Sequence, residues 1–273
     1  MRETIGFIGG GNMARSLAGG LIARGLAAQQ IIISDPVPAQ LEALATQLGV
    51  RTTPDNNVAA KDADVVILAV KPQDLRSVAE SLATPLQARR PLVISIAAGI
   101  RGSDIERWLG GIPVVRAMPN RPALQNCGVT GLYAAPAVPA AARALAAEIL
   151  DAVGVTVWVS EEAQMDAVTA VSGSGPAYFF LLVEMIEAAG ISLGLSAEVS
   201  RRLAIETAYG SGCMARESVD PPADLRKQVT SKGGTTEAAL RHLEAHGVRS
   251  LFTQAITAAA QRSAEMAEQL GKQ

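Results

Sequence analysis

The stretch Gly6-Phe7-Ile8-Gly9-Gly10-Gly11-Asn12-Met13-Ala14 decides how the rest of the chain is read. Gly9, Gly11 and Ala14 form a G-x-G-x-x-A pattern. It follows the apolar run Thr4–Ile8 and opens the amphipathic segment Asn12–Arg24, which is the strand–loop–helix context of a dinucleotide fingerprint. Gly9 allows the tight turn, and Gly11 lets the backbone approach a pyrophosphate. The helix start offers unpaired N–H groups and a partial positive charge to the phosphates. Ile8, Gly9, Gly11, Asn12, Met13 and Ala14 are therefore the expected phosphate-side residues.

The next apolar run ends Ile33-Ser34-Asp35, with Asp35 21 residues after Ala14. An acid at that distance is placed to bond an adenosine ribose, which favours NADH. Ser34 could instead donate to a phosphate, and Asp35 could turn outward as a helix cap, so the cofactor is expected to be NADPH or NADH. Two more runs end in small residues, Ala69-Val70-Lys71-Pro72 and Ala97-Ala98-Gly99. Ligands of open α/β sheets sit outside such strand ends. Lys71 is read as bordering the cofactor through its backbone, with a catalytic cation as the other reading.

The runs Thr4–Ile8, Ile31–Ser34, Asp64–Val70, Leu92–Ala97 and Val114–Met118 are mostly apolar throughout and alternate with helix-like segments such as Val37–Leu48. This predicts an α/β fold with a doubly wound, mostly parallel sheet. Val129–Tyr133 and Val155–Val159 are expected as strands at its edge. After about residue 160 only helical periodicity remains, over Glu161–Val171, Gly175–Leu193, Ala197–Glu217, Thr235–Ala245 and Val248–Leu270. The expected domains are residues 1–160, binding the dinucleotide, and 161–273, all helical. The helical half is rich in alanine, so each helix has little apolar area of its own and is expected to need partners, a second chain among them.

Composition narrows the class further. Lys+Arg 24 against Asp+Glu 26 gives a net charge of −2, without the basic surplus of a nucleic-acid binder. Two cysteines, Cys127 and Cys213, are too few for a disulfide scaffold and are read as reduced packing residues. The chain enters folded-looking sequence at once, and Glu184 and Glu187 close its richest apolar stretch. No signal peptide, membrane span or membrane partner is expected, and a cytoplasmic protein is the default. His242 and His246 share a helical spacing but lack an H-E-x-x-H frame, so no metal site is expected.

A second constellation lies at Leu225-Arg226-Lys227-Gln228-Val229-Thr230-Ser231-Lys232-Gly233-Gly234-Thr235-Thr236. A helix is expected to end before it and another to begin at Thr235. The double glycine bares backbone amides, and Ser231, Thr235 and Thr236 add hydroxyls. The pattern reads as a carboxylate cradle at a helix N-terminus or as an ordinary cap turn.

With these pieces in order, nearly the whole chain resembles the Δ1-pyrroline-5-carboxylate reductases. The resemblance is carried by Gly6–Ala14, Ala69–Pro72, Met118-Pro119-Asn120, Ser172-Gly173-Ser174-Gly175-Pro176-Ala177-Tyr178 and Val229–Thr236. It implies reduction of a cyclic imino acid to L-proline by NAD(P)H, the last step of proline biosynthesis, and favours NADPH where Asp35 argues for NADH. It also implies a helical domain that dimerises, assembly of the homodimers into a larger ring being left open, with active sites between the domains completed across the dimer. The substrate's carboxylate is expected at Ser231 and Gly233–Thr235, with Gly234 in the turn and the Thr236 hydroxyl on the imine nitrogen. Glu162 and Ser174 are implied on the substrate side, and Asn56 and Asn120 beside the cofactor. Asn56 could equally be a turn residue, and the Ser172–Pro176 run a plain helix cap. One departure stands out, since the family usually has proline where this chain has Lys232.

Two rivals remain. A β-hydroxyacid-dehydrogenase-like enzyme would need a lysine on the long helix after the sheet. The five lysines here are Lys61, Lys71, Lys227, Lys232 and Lys272, none of them in Gly175–Leu193. A non-catalytic NAD(P)-binding sensor would keep Gly9, Gly11 and Ala14 but have no need for the second cradle.

Overall fold

Strands form where apolar runs have to be covered on both faces. The structure, a computed structural model, describes residues 2–272. Its sheet has the order β3-β2-β1-β4-β5-β6-β7-β8, built from β1 (Ile5–Ile8), β2 (Ile31–Ser34), β3 (Arg51–Thr53), β4 (Val65–Leu68), β5 (Leu92–Ser95), β6 (Val114–Pro119), β7 (Gly128–Ala134) and β8 (Gly154–Trp158). All neighbours run parallel except β6 and β7. The sheet is thus doubly wound and mostly parallel, as the sequence predicts.

Alternation along each strand divides the core in two. Ile5, Phe7, Ile31, Ile33, Val65 and Ile67 pack on one face, against α1 (Asn12–Ala23), α2 (Pro38–Leu48) and α6 (Ala140–Leu150). Ile8, Ile32, Val66, Leu68 and Val93 pack on the other, under α3 (Asn56–Lys61), α4 (Pro72–Arg89) and α5 (Gly102–Trp108). Burying each such side chain contributes roughly 1.5–3 kcal/mol, before the entropy of ordering it is counted.

The pairing of β4 stops at Leu68 and that of β5 at Ser95, short of the expected ends at Val70 and Ala97. The residues beyond them leave the sheet at the strand C-termini, where ligands of open α/β sheets sit. The expected helix Glu161–Val171 is instead a short α7 (Gln164–Val168) followed by a π turn at Thr169–Gly173. Thr169 and Ser172 hydroxyls donate back to the Met165 and Val168 carbonyls, which competes with regular winding. Ser174 N–H accordingly reaches Thr169, five residues back, at 2.8 Å.

Backbone contacts divide the chain into two units, residues 1–174 with 259–273, and residues 175–258. The division falls at 174/175, and the end of the chain returns to the first unit. The second unit holds α8 (Gly175–Ser192), α9 (Ala197–Glu217), α10 (Pro222–Gln228), α11 (Thr235–Ala245) and the first half of α12 (Val248–Lys272). Within it α8 packs along α9. Ser200 Oγ donates to the Glu187 carbonyl at 2.6 Å, and Arg201 pairs with Glu187 at 3.0 Å.

Of the buried apolar side chains described, only Ala204 belongs to the second unit, while Phe179 is 67% exposed, Phe180 66% and Tyr209 70%. The continuous helical stretch 164–192 is long and apolar enough, by length and composition, to cross a membrane. The sequence reading, which stopped at Glu184 and Glu187, did not flag it. Cys127 is exposed, and so is not a packing residue; both cysteines are free.

Candidate active site

The sheet order reverses between β1 and β4, and in such folds the ligand crevice opens there, beyond the strand C-termini. The C-terminal ends of β1, β2 and β4 meet at this point. Gly9 N–H donates to the Ser34 carbonyl at 2.8 Å, and Ala69 N–H donates to Ile8 O at 2.8 Å. Gly9 has φ +101, and a Cβ there would stand 2.7 Å from the Ala69 carbonyl oxygen. Only glycine meets both demands. A side chain on Gly11 would meet nothing within 4 Å, so the bare backbone faces open space. Gly11 caps α1 with no side-chain hydrogen bond, and the amides of the first turn face that space without a side-chain acceptor. Ala14 is buried against the sheet. This cradle fits a pyrophosphate, through its free amides and through the space a Cβ would fill.

Other expected cofactor residues fall into place around it, some with altered roles. Ile8 lies wholly in the core, so only its backbone borders the crevice. Ser34 is also fully buried. Its hydroxyl lies 2.7 Å from Asn56 Oδ1 and 3.1 Å from the Phe7 carbonyl, so it steadies Asn56 rather than offering itself to a phosphate. Asp35 accepts Gly10 N–H through one oxygen and Val37 N–H through the other, both at 2.9 Å. It thus braces the glycine loop from behind. Lys71 caps α4 without a side-chain bond and Pro72 opens that helix, giving a second bare helix start beside the first. Ala97 and Gly99, with φ +66 at Gly99, follow β5, and a Cβ on Gly99 would stand 3.3 Å from Met266 of α12. Asn120 is buried and its Oδ1 accepts Val129 N–H at 3.0 Å. Met118 Cε would lie 2.6 Å from a Cβ on Gly173, which joins the Met118–Asn120 and Ser172–Tyr178 motifs.

Glu162 sits in a polar cluster of the first unit. Its Oε1 accepts Arg116 Nη1 at 2.8 Å and also the Gly102 amide. Arg116 is 5% exposed, and burial pulls its guanidinium below the usual range while the Glu162 charge opposes that pull. Beside it, Arg101 pairs with Asp166 at 2.7 Å, and Ser263 Oγ donates to the other Asp166 oxygen at 2.8 Å. Ser263 and Met266 of α12, with Arg101, Arg116 and Asp166, escape the sequence reading. Their partners lie as much as 97 residues apart, and no local pattern announces them.

The second unit carries the other cradle. α10 runs to Gln228, into the stretch where a helix end was expected earlier. Gly234 N–H donates to the Ser231 carbonyl at 3.0 Å and Gly233 has φ +74, which makes Ser231–Gly234 a turn with glycine at its third position. Gly234 then caps α11 with no side-chain bond, leaving the first-turn amides at Thr235 and Thr236 without a side-chain acceptor. Gly233 N–H is held by Glu237 Oε2 at 2.8 Å, and Arg241 lies 3.4 Å from the same oxygen. His246 Nδ1 lies 2.7 Å from the His242 carbonyl.

Comparison with known proteins agrees with both halves. Residues 162–266 match the family model described as pyrroline-5-carboxylate reductase dimerisation, and residues 4–99 the one described as NADP oxidoreductase, coenzyme F420-dependent. A pyrroline-5-carboxylate reductase of Pseudomonas aeruginosa is 52% identical over 98% of each chain, and one of Vibrio alginolyticus 42% over 97% of each. The solved pyrroline-5-carboxylate reductase of Coxiella burnetii superposes with a TM-score of 0.94 at 43% identity, over 97% of this chain and 99% of that one. A 3-hydroxyisobutyrate dehydrogenase of Mycobacterium tuberculosis, at 17% identity and a TM-score of 0.55, shares the fold alone. Identity of this order along the full length leaves one assignment: the chain belongs to the pyrroline-5-carboxylate reductase family.

Proposed function

We propose that the protein reduces Δ1-pyrroline-5-carboxylate to L-proline with NADPH, as a soluble cytoplasmic homodimer. The observation that carries this reading is the pair of uncapped, glycine-built helix starts, Gly9–Ala14 on one unit and Gly233–Thr236 on the other. A sensor that only bound a dinucleotide would have no use for the second.

The residues divide the work. Gly11, Asn12, Met13 and Ala14 hold the pyrophosphate with backbone amides, and Asn56, steadied by Ser34, faces the adenosine. Ala69–Pro72 and Ala97–Gly99 line the crevice above the strand ends. The dinucleotide supplies the hydride when bound there. Ser231 and the open first-turn amides of Thr235 and Thr236 pin the substrate carboxylate, and the Thr236 hydroxyl bonds the ring nitrogen. Gly233 and Gly234, whose own amides are held by Glu237 and Ser231, shape the turn that presents those open amides. With hydride added at carbon and a proton on nitrogen, carried in by the substrate as its iminium or delivered by water, the C=N bond becomes the amine of proline. Thr236 is a poor acid near neutral pH, so it positions and polarises rather than protonates. Catalysis on this reading is orientation and electrostatics. The family resemblance assigns Glu162, fixed by Arg116, and Ser174 to the substrate. NADPH is preferred over NADH, as the family resemblance implies, since each oxygen of Asp35 already accepts a backbone amide.

The test is oxidation of NADPH, followed by loss of reduced-nicotinamide absorbance, with pyrroline-5-carboxylate added and proline quantified. Turnover on the order of 1 per second or faster is expected, with a higher kcat/KM for NADPH than for NADH. Binding without turnover contradicts the reading.

A further inference from the structure

β8 is the last strand of the sheet and pairs with β7 alone. An edge strand is an open template, and proteins ordinarily protect one with charge, proline or a covering element. Residues 154–159, Gly-Val-Thr-Val-Trp-Val, carry neither charge nor proline. Val155 and Val157 are 52% and 53% exposed. In the parallel register Val155 lies beside Val129 and Val157 beside Gly131.

On that face α7 comes down onto β7. A Cβ on Gly131 would stand 2.4 Å from Val168, so the glycine is what lets the helix approach. Because α7 covers β7 and not β8, a groove of about 360 Å³ remains between them. Val157 and Val159 form one wall, and Gln164, Ala167, Val168 and Val171 the other. Val171 is 60% exposed. No charged residue lines the groove.

We propose that this groove, together with the edge of β8, seats a second copy of this chain. The interface would then extend beyond the helical segment, onto the sheet of the dinucleotide-binding unit. The argument is continuity. One wall belongs to residues 162–266, the segment matching the dimerisation model, and the other, on β8, lies just outside it. The helical stretch 164–192 begins in that wall, and Phe179, Phe180 and Met185 further along the chain are themselves exposed. An apolar strand edge beside an apolar helix wall is what a self-complementary two-fold contact buries, and a lone copy would leave it to water.

This inference rests on the dimer in the functional reading, and its test separates the two. Sedimentation velocity across a concentration series gives the dimer dissociation constant of the wild type and of Val157→Glu and Val157→Thr. Position 157 is half in solvent within a single chain, so neither change disturbs that chain's own core. Val157→Glu should weaken the dimer at least tenfold and Val157→Thr much less. In the wild type, amide hydrogen exchange in 154–159 should slow as concentration rises through the dimer range. A Val157→Glu dimer as tight as wild type, or exchange in β8 independent of concentration, would overturn the proposal and assign the groove to another occupant. A wild type that stays monomeric would overturn it too, while NADPH oxidation independently judges the reductase reading.

Discussion

The two units use the same local device on opposite foundations. In the first, the glycine loop Gly9–Gly11 stands on a sheet packed on both faces, and its conformation is fixed by Ser34, Ala69 and Asp35. In the second, the loop Ser231–Gly234 joins two helices of a unit whose single fully buried apolar side chain is Ala204. It is fixed by its own turn and by Glu237. A bare helix start becomes a specific site only when something holds it still, and the first unit supplies that from within. The second exposes Phe179, Phe180 and Leu203 and must find its packing elsewhere, consistent with the dimerisation segment it contains.

The comparison is broken most sharply at Gly9. Gly9→Ala forces a side chain into positive φ and against the Ala69 carbonyl, so it should cost about 2–4 kcal/mol of stability. NADPH affinity should fall on the order of 100-fold. Thermal unfolding and a fluorescence titration of NADPH read the two effects. An Ala variant with unchanged affinity would show that the loop is not the pyrophosphate site.

The second loop is tested at Thr236, where the proposed contact is to the reacting atoms. Thr236→Ala should lower kcat/KM by roughly 2–3 kcal/mol in transition-state stabilisation, while NADPH binding stays unchanged. An unaltered kcat/KM would remove Thr236 from the mechanism.

Lys232 sharpens the contrast in rigidity. It sits at the second position of a turn that proline favours, and it is not among the residues with positive φ. Lys232→Pro should therefore stabilise by about 0.4–1 kcal/mol through the unfolded chain, read as a rise in melting temperature. Destabilisation would mean that the turn differs from the one described.

The smallest effect belongs at the far end of the sheet. The Thr4 amide and then Arg89 hold Asp64 below its ordinary carboxylate range. A lowered folded-state value adds stability above the unfolded value, about 3.9, and that stability is lost as pH falls through the folded one. Asp64→Asn should therefore flatten part of the stability loss below about pH 4. The pair is half exposed, which limits its contribution at neutral pH to under about 1 kcal/mol. Kinetics at neutral pH should not change, since β4 begins at the end of the strand away from the crevice.

Much of this was legible in the sequence, for reasons the structure makes plain. The nucleotide loop could be read because strand, turn and helix are adjacent in the chain and each glycine answers a local demand. The sheet could be read because strands buried on both faces leave uninterrupted apolar runs such as Val65–Leu68. The loop at Ser231–Thr236 needed a family resemblance, since a glycine turn before a helix looks the same whether or not it binds an anion. The bonding of Ser34 lies beyond the sequence, which cannot tell a hydroxyl that faces the crevice from one that props up Asn56. The Arg101–Asp166–Ser263 cluster was invisible because its bonds span 65 and 97 residues. Val155 and Val157 read as an ordinary edge strand, and only the helix beside them reveals a groove.

The most direct test is a crystal structure of the protein soaked with NADPH and L-proline. The account places the proline carboxylate at the Ser231–Thr236 turn, on the open amides of Thr235 and Thr236, with the ring carbon about 3–3.5 Å from the reactive carbon of the nicotinamide. Proline bound elsewhere, or held there with the nicotinamide out of reach, would contradict it.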